Sequence, residues 1–268
     1  MNYVFINWYD EMDDRLMTAL SRAEALAGQS QVVVLNYNRF FHRDLQQQQQ
    51  WFSHVDQNMF DVLNQTMVKP DNPSSLADLR IMADEPTVRQ DNVIYFFQNG
   101  RKLLAVTLFQ NSKNDAELVD SVHYFDPFGN EISGDYYDVR GFKSMSVING
   151  VNGGVAQEVM FDLSGHEKTI FFYQQVHDDV TNTMIQHYDE QMASFTSREQ
   201  LISYFCRQYG VKEHDTVLLP KSLNFLNGSL PTANVWQWDD QALRSLARDN
   251  AVLTWNKLDQ TSLSKLLK

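Results

Sequence analysis

Acidic side chains cluster at two places where they could ligate a divalent cation. Asp10, Glu11, Asp13 and Asp14 follow an apolar run near the N-terminus, and His177-Asp178-Asp179 lies further along the chain. Carboxylates and imidazoles bind metals. The first cluster also suits the start of a helix, whose dipole favours negative charge. The second falls where a repeating pattern of turns places a hairpin. The structural interpretation is favoured at both places, so no metal site is expected.

The sequence offers little support for a nucleophilic residue or for a cofactor-binding loop. Cys206 lies beside Phe205 on the apolar face of a predicted helix, which indicates a buried, inert thiol. A single cysteine excludes an internal disulfide and a cysteine-based zinc site. The loop at residues 7–14 has no glycine, so it is not expected to cradle a phosphate or to bind a cofactor. Six further histidines lack metal-ligand spacing: His42, His54, His123, His166, His187 and His214.

The segment Asn36-Tyr37-Asn38-Arg39-Phe40-Phe41-His42-Arg43 combines amide, aromatic and basic side chains. It follows a predicted buried strand and would project from the carboxyl edge of a sheet, where α/β folds bind ligands. This position makes the segment a candidate for ligand contact. The alternative is a strand-to-helix loop whose aromatic side chains pack inward, and both interpretations stay open.

The hydrophobic pattern of the first 90 residues indicates the beginning of an α/β domain. It predicts a strand over 3–8, a helix over 13–26 and a buried strand over 31–37, which together favour a parallel sheet. Asp44 is predicted to cap a helix that runs through the glutamine repeat to Leu63. Prolines predict an irregular connection over 69–91.

Four glycines then recur at a constant spacing of 12 residues: Gly129, Gly141, Gly153 and Gly165. Three of them follow an aromatic residue, an aspartate and two variable residues. Aspartate can accept hydrogen bonds from the backbone of a turn, and glycine supplies the positive φ that a tight hairpin requires. The repeat predicts an antiparallel β-meander over about residues 91–190. Its aspartates are Asp126, Asp138 and Asp162.

Helical periodicity returns after the meander. A capping box at Thr196 predicts a helix to Tyr209, followed by strands over 216–219 and 234–238. A helix over 239–248, a strand over 251–255 and a final helix complete the prediction. The expected fold is therefore an α/β domain formed by residues 1–90 and 191–268 and interrupted by a β-meander at 91–190.

Composition limits the class of protein. Of the 268 residues, 43% are hydrophobic and 12% aromatic, which excludes a disordered chain. The net charge of -12 disfavours binding to nucleic acid or to anionic lipid. No segment resembles a signal peptide or a transmembrane span, so a cytoplasmic protein is expected, at the inner face of the membrane only through partners.

Four motifs resemble a family of bacterial GT-B glycosyltransferases that add sugars to poly(glycerol phosphate) teichoic acid or to serine-rich adhesins. The resemblance runs over nearly the whole chain. Its carriers are Leu35-Asn36-Tyr37-Asn38 with His42-Arg43, Asn58-Met59-Phe60-Asp61, the segment from Tyr136 to Ser144, and Ser197-Arg198-Glu199-Gln200-Leu201.

In that family a Rossmann-like N-terminal domain is interrupted by a β-meander that binds the acceptor or another subunit. The resemblance therefore implies acceptor binding. An uncovered edge of the meander could also pair with a second copy of the chain, which makes self-association a further expectation. The candidate acceptor-binding residues are Tyr37, Asn38, His42, Arg43, Tyr137, Arg140 and Phe142.

The sequence departs from the family in three ways. Its first loop lacks glycine, no two glutamates are separated by seven residues, and the chain ends near where a second, nucleotide-sugar domain would begin. The resemblance then implies an N-terminal half without a complete donor site, so whether the chain is itself an enzyme stays open.

Three functional hypotheses follow. The first is the acceptor-recognition half or subunit of a glycosyltransferase that modifies serine-rich adhesins or wall teichoic acid. The second is a non-enzymatic partner, because the layout also resembles the companion subunit of adhesin glycosyltransferases and the first accessory Sec protein. Either would work with a glycosyltransferase or accessory Sec partner subunit. The third is a β-rich binding module unrelated to sugars.

Overall fold

The structure, a computed structural model, describes most of the chain: residues 2–6, 30–47, 55–70, 73–81, 87–109, 117–174, 179–186, 192–208, 211–220 and 235–238, with Leu223 and Leu230. The chain divides into two compact units. The first contains residues 1–38, 44–62 and 199–268, and the second contains 39–43 and 63–198.

Strands dominate the described part of the chain. They are β1 (Asn2–Ile6), β2 (Ser30–Val34), β3 (Val55–Asn58), β4 (Val88–Gln90), β5 (Val93–Gln98), β6 (Arg101–Leu108), β7 (Val119–Phe125), β8 (Glu131–Tyr137), β9 (Lys143–Asn149), β10 (Val155–Phe161), β11 (Glu167–Gln174), β12 (Asp179–Gln186), β13 (Met192–Phe195), β14 (Thr216–Pro220) and β15 (Val235–Trp238). The α-helices are α1 (Phe41–Gln47), α2 (Met59–Leu63) and α3 (Arg198–Gln208).

The first unit contains a five-stranded parallel sheet in the order β15-β14-β1-β2-β3. In β2, Val32, Val33 and Val34 are all buried. An uninterrupted buried run is typical of an inner parallel strand, because helices cover both faces of such sheets. The predicted strands near 3–8, 31–37, 216–219 and 234–238 are confirmed. A parallel sheet also weighs against the third hypothesis, which a fold without an α/β layer would have favoured.

The predicted helix from Asp44 to Leu63 is wrong in its middle. A short helix α1 is present, but Val55–Asn58 forms β3, which pairs in parallel with β2. The apolar spacing combined the end of a strand with the start of α2, where Met59 and Phe60 are buried. Sheet pairing over more than 20 residues of sequence therefore overrides the local period.

The second unit contains a ten-stranded antiparallel sheet in which β4 to β13 follow one another in chain order. The predicted meander is confirmed, and its outer strands β4 and β13 lie just beyond the predicted limits. Gly129, Gly141, Gly153 and Gly165 have φ values of 91°, 93°, 82° and 82°, as tight hairpins require.

A compact cluster of apolar side chains forms the core under β5 to β8. The segment 73–81, with a 3₁₀ turn at Leu76–Asp78, lies against it and contributes Leu76, Leu79 and Ile81. Among the described residues of the connection predicted to be irregular, 69–91, the regular elements are this 3₁₀ turn and strand β4. The buried members are Ile94, Leu104, Val106, Leu108, Val119, Val122 and Tyr137.

Several expectations lie outside the described residues. These are the helices over 13–26 and 239–248, the strand over 251–255, the final helix, the acidic cluster at 10–14, and His177 with Asp178. Within the described residues, no helix is long and apolar enough to span a membrane.

Candidate functional site

The loop after β2 begins at the carboxyl edge of the parallel sheet. The backbone N–H of Leu35 donates to the carbonyl of Ile6 at 2.8 Å, so the loop starts level with the end of β1. Tyr37 meets Phe60 edge-on, with ring centroids 5.7 Å apart. Asn38 is half-buried. Tyr37 therefore packs as the inward-facing loop interpretation expected.

The side chain of Asn58 holds this loop in place through hydrogen bonds. Its Nδ2 donates to the carbonyl of Asn36 at 3.3 Å, and its Oδ1 accepts the backbone N–H of Phe60 at 2.8 Å. The second bond satisfies a backbone donor at the start of α2, as N-cap residues do. One buried amide thus joins the loop to the helix that follows β3.

Residues 39–43 belong to the second unit, where they form an arginine stack. The Arg39 guanidinium carbon lies 4.2 Å from the ring centroid of Phe40 and 4.9 Å from that of Tyr136, and the Arg43 carbon lies 3.9 Å from the Phe40 centroid. Nη2 of Arg39 is 3.5 Å from a carboxylate oxygen of Asp120. Nη1 of Arg39 is buried and has no hydrogen-bond acceptor among the described residues. A charged nitrogen that carries two N–H groups is thus held in place without an acceptor in this part of the chain.

Tyr136 connects the arginine stack to a hydrogen-bonded histidine. Its ring lies over Gly134, where a Cβ would meet ring atoms at 3.3 Å, and it contacts the His123 ring edge-on at 5.7 Å. Nδ1 of His123 is 2.9 Å from Glu131 Oε1, and Nε2 is 3.2 Å from Ser121 Oγ. Burial, and then the charge of Glu131, raise the pKa of Tyr136, so its hydroxyl stays protonated near neutral pH.

A second polar group lies on the same face of the sheet. The Tyr173 hydroxyl donates to Glu158 Oε2 at 2.5 Å and accepts from Arg198 Nη2 at 2.9 Å. Burial, followed by the charge of Glu158, raises the pKa of Tyr173. The guanidinium of Arg198 also lies 5.3 Å from the centroid of Phe171.

The strand register places these groups in one row. Directly paired residues run from His123 through Gly134, Val147 and Glu158 to Phe171. Paired residues point to the same side of a sheet, and three strand spacings make His123 and Glu158 about 14 Å apart. We call this row, together with the arginine stack, the polar face.

Three predicted residues lie inside the protein. Tyr137 and Phe142 are 8% and 6% exposed, and burial, with a smaller effect of Asp135, raises the pKa of Tyr137 to about 12. Nε and Nη2 of Arg140 bind the two carboxylate oxygens of Asp138 at 2.8 and 2.9 Å, and Nη1 donates to the carbonyl of Thr66. A role of these three residues in acceptor binding stays a prediction. Because they are buried, they would act by holding the turn before β9 in position rather than by touching the acceptor.

His42 and Arg43 lie with the arginine stack, where His42 contacts the Phe41 ring edge-on at 4.9 Å. The sequence pattern did not distinguish Arg39 from its neighbours in the segment 36–43. It also pointed to Tyr137 rather than to the adjacent Tyr136. The pattern gave no signal for His123, Glu158, Tyr173 and Arg198, whose partners are distant in sequence.

Cys206 is buried, as predicted, and burial raises the pKa of its thiol to about 12. Within the parts of the chain that the structure describes, no three histidine, cysteine or acidic side chains lie close enough together to hold a metal ion.

The two sheets define a mixed α/β protein with a parallel and an antiparallel part, and solved structures share this fold. Neither a protein-family model nor a curated protein matches the sequence. A chain of the accessory secretory protein 1, 2 and 3 structure of Streptococcus pneumoniae matches with a TM-score of 0.68 and 19% identity, over 89% of this chain and 51% of that one.

Further solved structures share the fold at similarly low sequence identity. The Glycosylation Associate Protein (Gap123) complex of Streptococcus agalactiae gives a TM-score of 0.67 at 17% identity, over 99% of this chain and 55% of that one. The pneumococcal O-GlcNAc transferase GtfA, in complex with UDP and GlcNAc, gives 0.63 at 12% identity, over 88% and 47%. TarM also matches. These matches confirm the predicted resemblance at the level of the fold, and this chain spans about half the length of each.

Proposed function

We propose that this chain is the acceptor-recognition half or subunit of a glycosyltransferase that modifies serine-rich adhesins or wall teichoic acid. In this proposal residues 1–90 and 191–268 form a Rossmann-like domain of the GT-B N-terminal type, and residues 91–190 are the inserted acceptor-binding meander. The observation that carries the proposal is the polar face, which gathers arginine, tyrosine, histidine and glutamate side chains on one side of the antiparallel sheet.

The chemistry of this face suits an extended, hydroxyl-rich polypeptide. Such a chain offers backbone carbonyls and serine hydroxyls at regular intervals. The Arg39 side chain is 22% exposed, so its guanidinium can donate to a carbonyl or hydroxyl oxygen of a bound chain. Tyr136 and Phe40 hold the guanidinium in place, so little side-chain entropy is lost on binding. His42 and Arg43 extend the contact along α1.

The nucleotide-sugar would be held elsewhere. A phosphate-binding loop needs glycines that let backbone amides approach the phosphates, and residues 7–14 contain none. We expect transfer to require a partner that supplies the donor site. On this proposal UDP-sugar alone does not stabilise the chain.

Binding of a fluorescent serine-rich peptide, followed by anisotropy, tests the proposal. Arg39→Ala should weaken binding about tenfold or more, because a hydrogen bond from a charged group contributes about 1.5–3 kcal/mol. Arg89→Ala is the matched control, since Arg89 is an exposed arginine on the edge strand β4 that contacts the Asp91 carbonyl and Glu117.

Equal affinity of the Arg39→Ala and native proteins would contradict acceptor binding at the polar face. A rise of several degrees in Tm with UDP-sugar, together with transfer by the isolated chain, would contradict the absence of a donor site.

The acidic, glycine-free first loop also favours a second candidate, a non-enzymatic partner for glycosylation or export of serine-rich glycoproteins. If this candidate is correct, a pull-down with the tagged chain should capture a co-expressed glycosyltransferase or accessory Sec subunit, and the complex should survive high-salt washes. Autonomous sugar transfer without any such association would rule this candidate out.

A further inference from the structure

Large apolar side chains are exposed mainly at one end of the antiparallel sheet. Phe128 and Val151 are 90% and 102% exposed, and Ile132 and Ile148 are 47% and 42% exposed. Phe128 lies in the β7–β8 turn and Val151 in the β9–β10 turn. Alternate turns of a meander share an end, so two strand spacings put these turns about 10 Å apart. We call the four residues the apolar tip. The other large hydrophobics exposed in the described residues are Met67, Val68 and Val88.

The turns at the opposite end make a matched comparison. They follow the same twelve-residue repeat and carry Val139 and Leu163 at the positions equivalent to Val151. Both of these side chains are half-buried. The turn geometry therefore does not force an apolar side chain into solvent, and the exposure of Phe128 and Val151 is particular to one end. Concentrated apolar exposure of this kind marks an interaction surface.

Positive charge accompanies the apolar tip. Arg101 and Lys102 begin β6 at this end, and Nζ of Lys102 lies 3.5 Å from the centroid of Phe125. The Asp126 carboxylate accepts the backbone N–H groups of Phe128 and Asn130 at 2.8 and 2.9 Å, and the Asn130 amide at 2.9 Å. This carboxylate is thus used within its turn. Glu131, which begins β8 at the same end, lies 2.9 Å from His123 Nδ1, whereas Arg101 is exposed.

We propose that the apolar tip docks on a phospholipid surface. Phe128 and Val151 enter the boundary between headgroups and acyl chains, and Arg101 and Lys102 face lipid phosphates. Two convex turns can enter a deformable bilayer interface without a matching cavity, whereas a folded partner would need two pockets at the right spacing. With a net charge of -12, the chain as a whole is repelled by anionic lipid. Binding therefore depends on apolar insertion and is weak and reversible.

A single label can report on the docking. Cys206 is 0% exposed, so a cysteine introduced at the surface of the folded full chain is the one that reacts. Val151→Cys carries an NBD fluorophore at the apolar tip and keeps Phe128. Ser164→Cys carries the same label in an exposed turn at the opposite end. The probes are phosphatidylcholine vesicles, with and without phosphatidylglycerol.

Vesicles should shift the Val151→Cys emission to the blue and leave the Ser164→Cys emission unchanged. Adding Phe128→Ser to the Val151→Cys protein should reduce the vesicle partition coefficient about tenfold, the value of one buried aromatic side chain. Val88→Ser, which removes an exposed valine from the edge strand, should leave it unchanged.

Three results would overturn the proposal: no vesicle-dependent shift at the tip on either vesicle, equal shifts from both labels, or a shift that rises with protein concentration in the absence of lipid. The last result would assign the apolar tip to contact between copies of the chain. Peptide binding at the polar face is measured without vesicles, so the two proposals fail independently.

Discussion

At the scale of single residues, the carboxylates of the turn residues Asp126 and Asp162 each accept two backbone N–H groups. Oδ1 of Asp162 accepts the N–H groups of Ser164 and His166 at 2.8 and 2.9 Å, and Lys168 Nζ lies 3.7 Å from Oδ2. Burial raises the pKa of this carboxyl, but these backbone hydrogen bonds and His166 outweigh it, and the pKa lies below the usual value. The folded protein therefore favours the ionised form of Asp162.

This depressed pKa predicts a stability effect that depends on pH. Asp162→Asn should lower the free energy of unfolding at neutral pH by about 1–2 kcal/mol, because it removes a charged acceptor. A lowered pKa stabilises the folded state above the unfolded pKa of about 4, and this contribution is lost as pH falls through the folded value. The difference between the variant and the native protein should therefore shrink in acid.

Urea unfolding at neutral pH and near pH 3 measures both differences. Asp126→Asn is the control, since Asp126 makes the same turn bonds in a less buried position than Asp162 and should show a smaller loss. A difference for Asp162→Asn that stays constant with pH would contradict the assignment.

Arg140 and Asp138 form a buried ion pair, at 7% and 5% exposure. Arg140→Ala should destabilise the protein by about 3–5 kcal/mol, because it leaves the carboxylate buried without its cation. The Asp138→Ala/Arg140→Ala double variant should lose less than the sum of the two single losses. A double-mutant cycle from urea unfolding gives the coupling energy, and additive losses would mean that the pair does not act as a unit.

At the scale of elements, the four repeat glycines differ in what surrounds them. A Cβ on Gly129, Gly153 or Gly165 would meet nothing within 4 Å, whereas a Cβ on Gly141 would lie 2.2 Å from the Cβ of Pro73. The backbone N–H of Ser74 also donates to the Gly141 carbonyl at 2.6 Å. The turn before β9 thus holds segment 73–81 against the sheet by close approach.

Substitutions at these glycines should separate backbone strain from packing. Gly129→Ala should cost about 1–2 kcal/mol, the penalty of placing an alanine at positive φ. Gly141→Ala should cost about 2 kcal/mol more, because Pro73 must also move. Thermal unfolding measures the stability of the two variants. Equal losses of stability would show that segment 73–81 can move away from Gly141 without cost.

At the scale of the whole molecule, the net charge of -12 bears on which of the two proposed acceptors the chain would bind. A like-charged polymer such as poly(glycerol phosphate) is repelled at long range, whereas a serine-rich polypeptide is not. At low salt we expect the serine-rich peptide to bind more tightly than poly(glycerol phosphate). This difference in affinity should become smaller as added salt screens the repulsion. Anisotropy titrations of both acceptors at low and high salt measure this. Tighter binding of the phosphate polymer at low salt would point to a local basic site instead.

The sequence by itself determined the features that depend on neighbouring residues. The twelve-residue repeat gave the hairpin turns, because an aspartate and a glycine within five residues fix both the hydrogen bonds and the positive φ. Uninterrupted apolar runs gave the inner parallel strands β1 and β2. The burial of Cys206 followed from the apolar face of its helix.

Only the tertiary structure decided which side chains face each other. Strand β3 forms because β2 offers it an edge, although the local spacing favours a helix. Alternation along a strand cannot tell whether Tyr136 or Tyr137 faces the core, since a register shift falls between them. Arg39 reaches Tyr136 across 97 positions of sequence, and no local pattern carries that contact. The polar face is made of such distant pairs, so it exists only once the ten strands have paired.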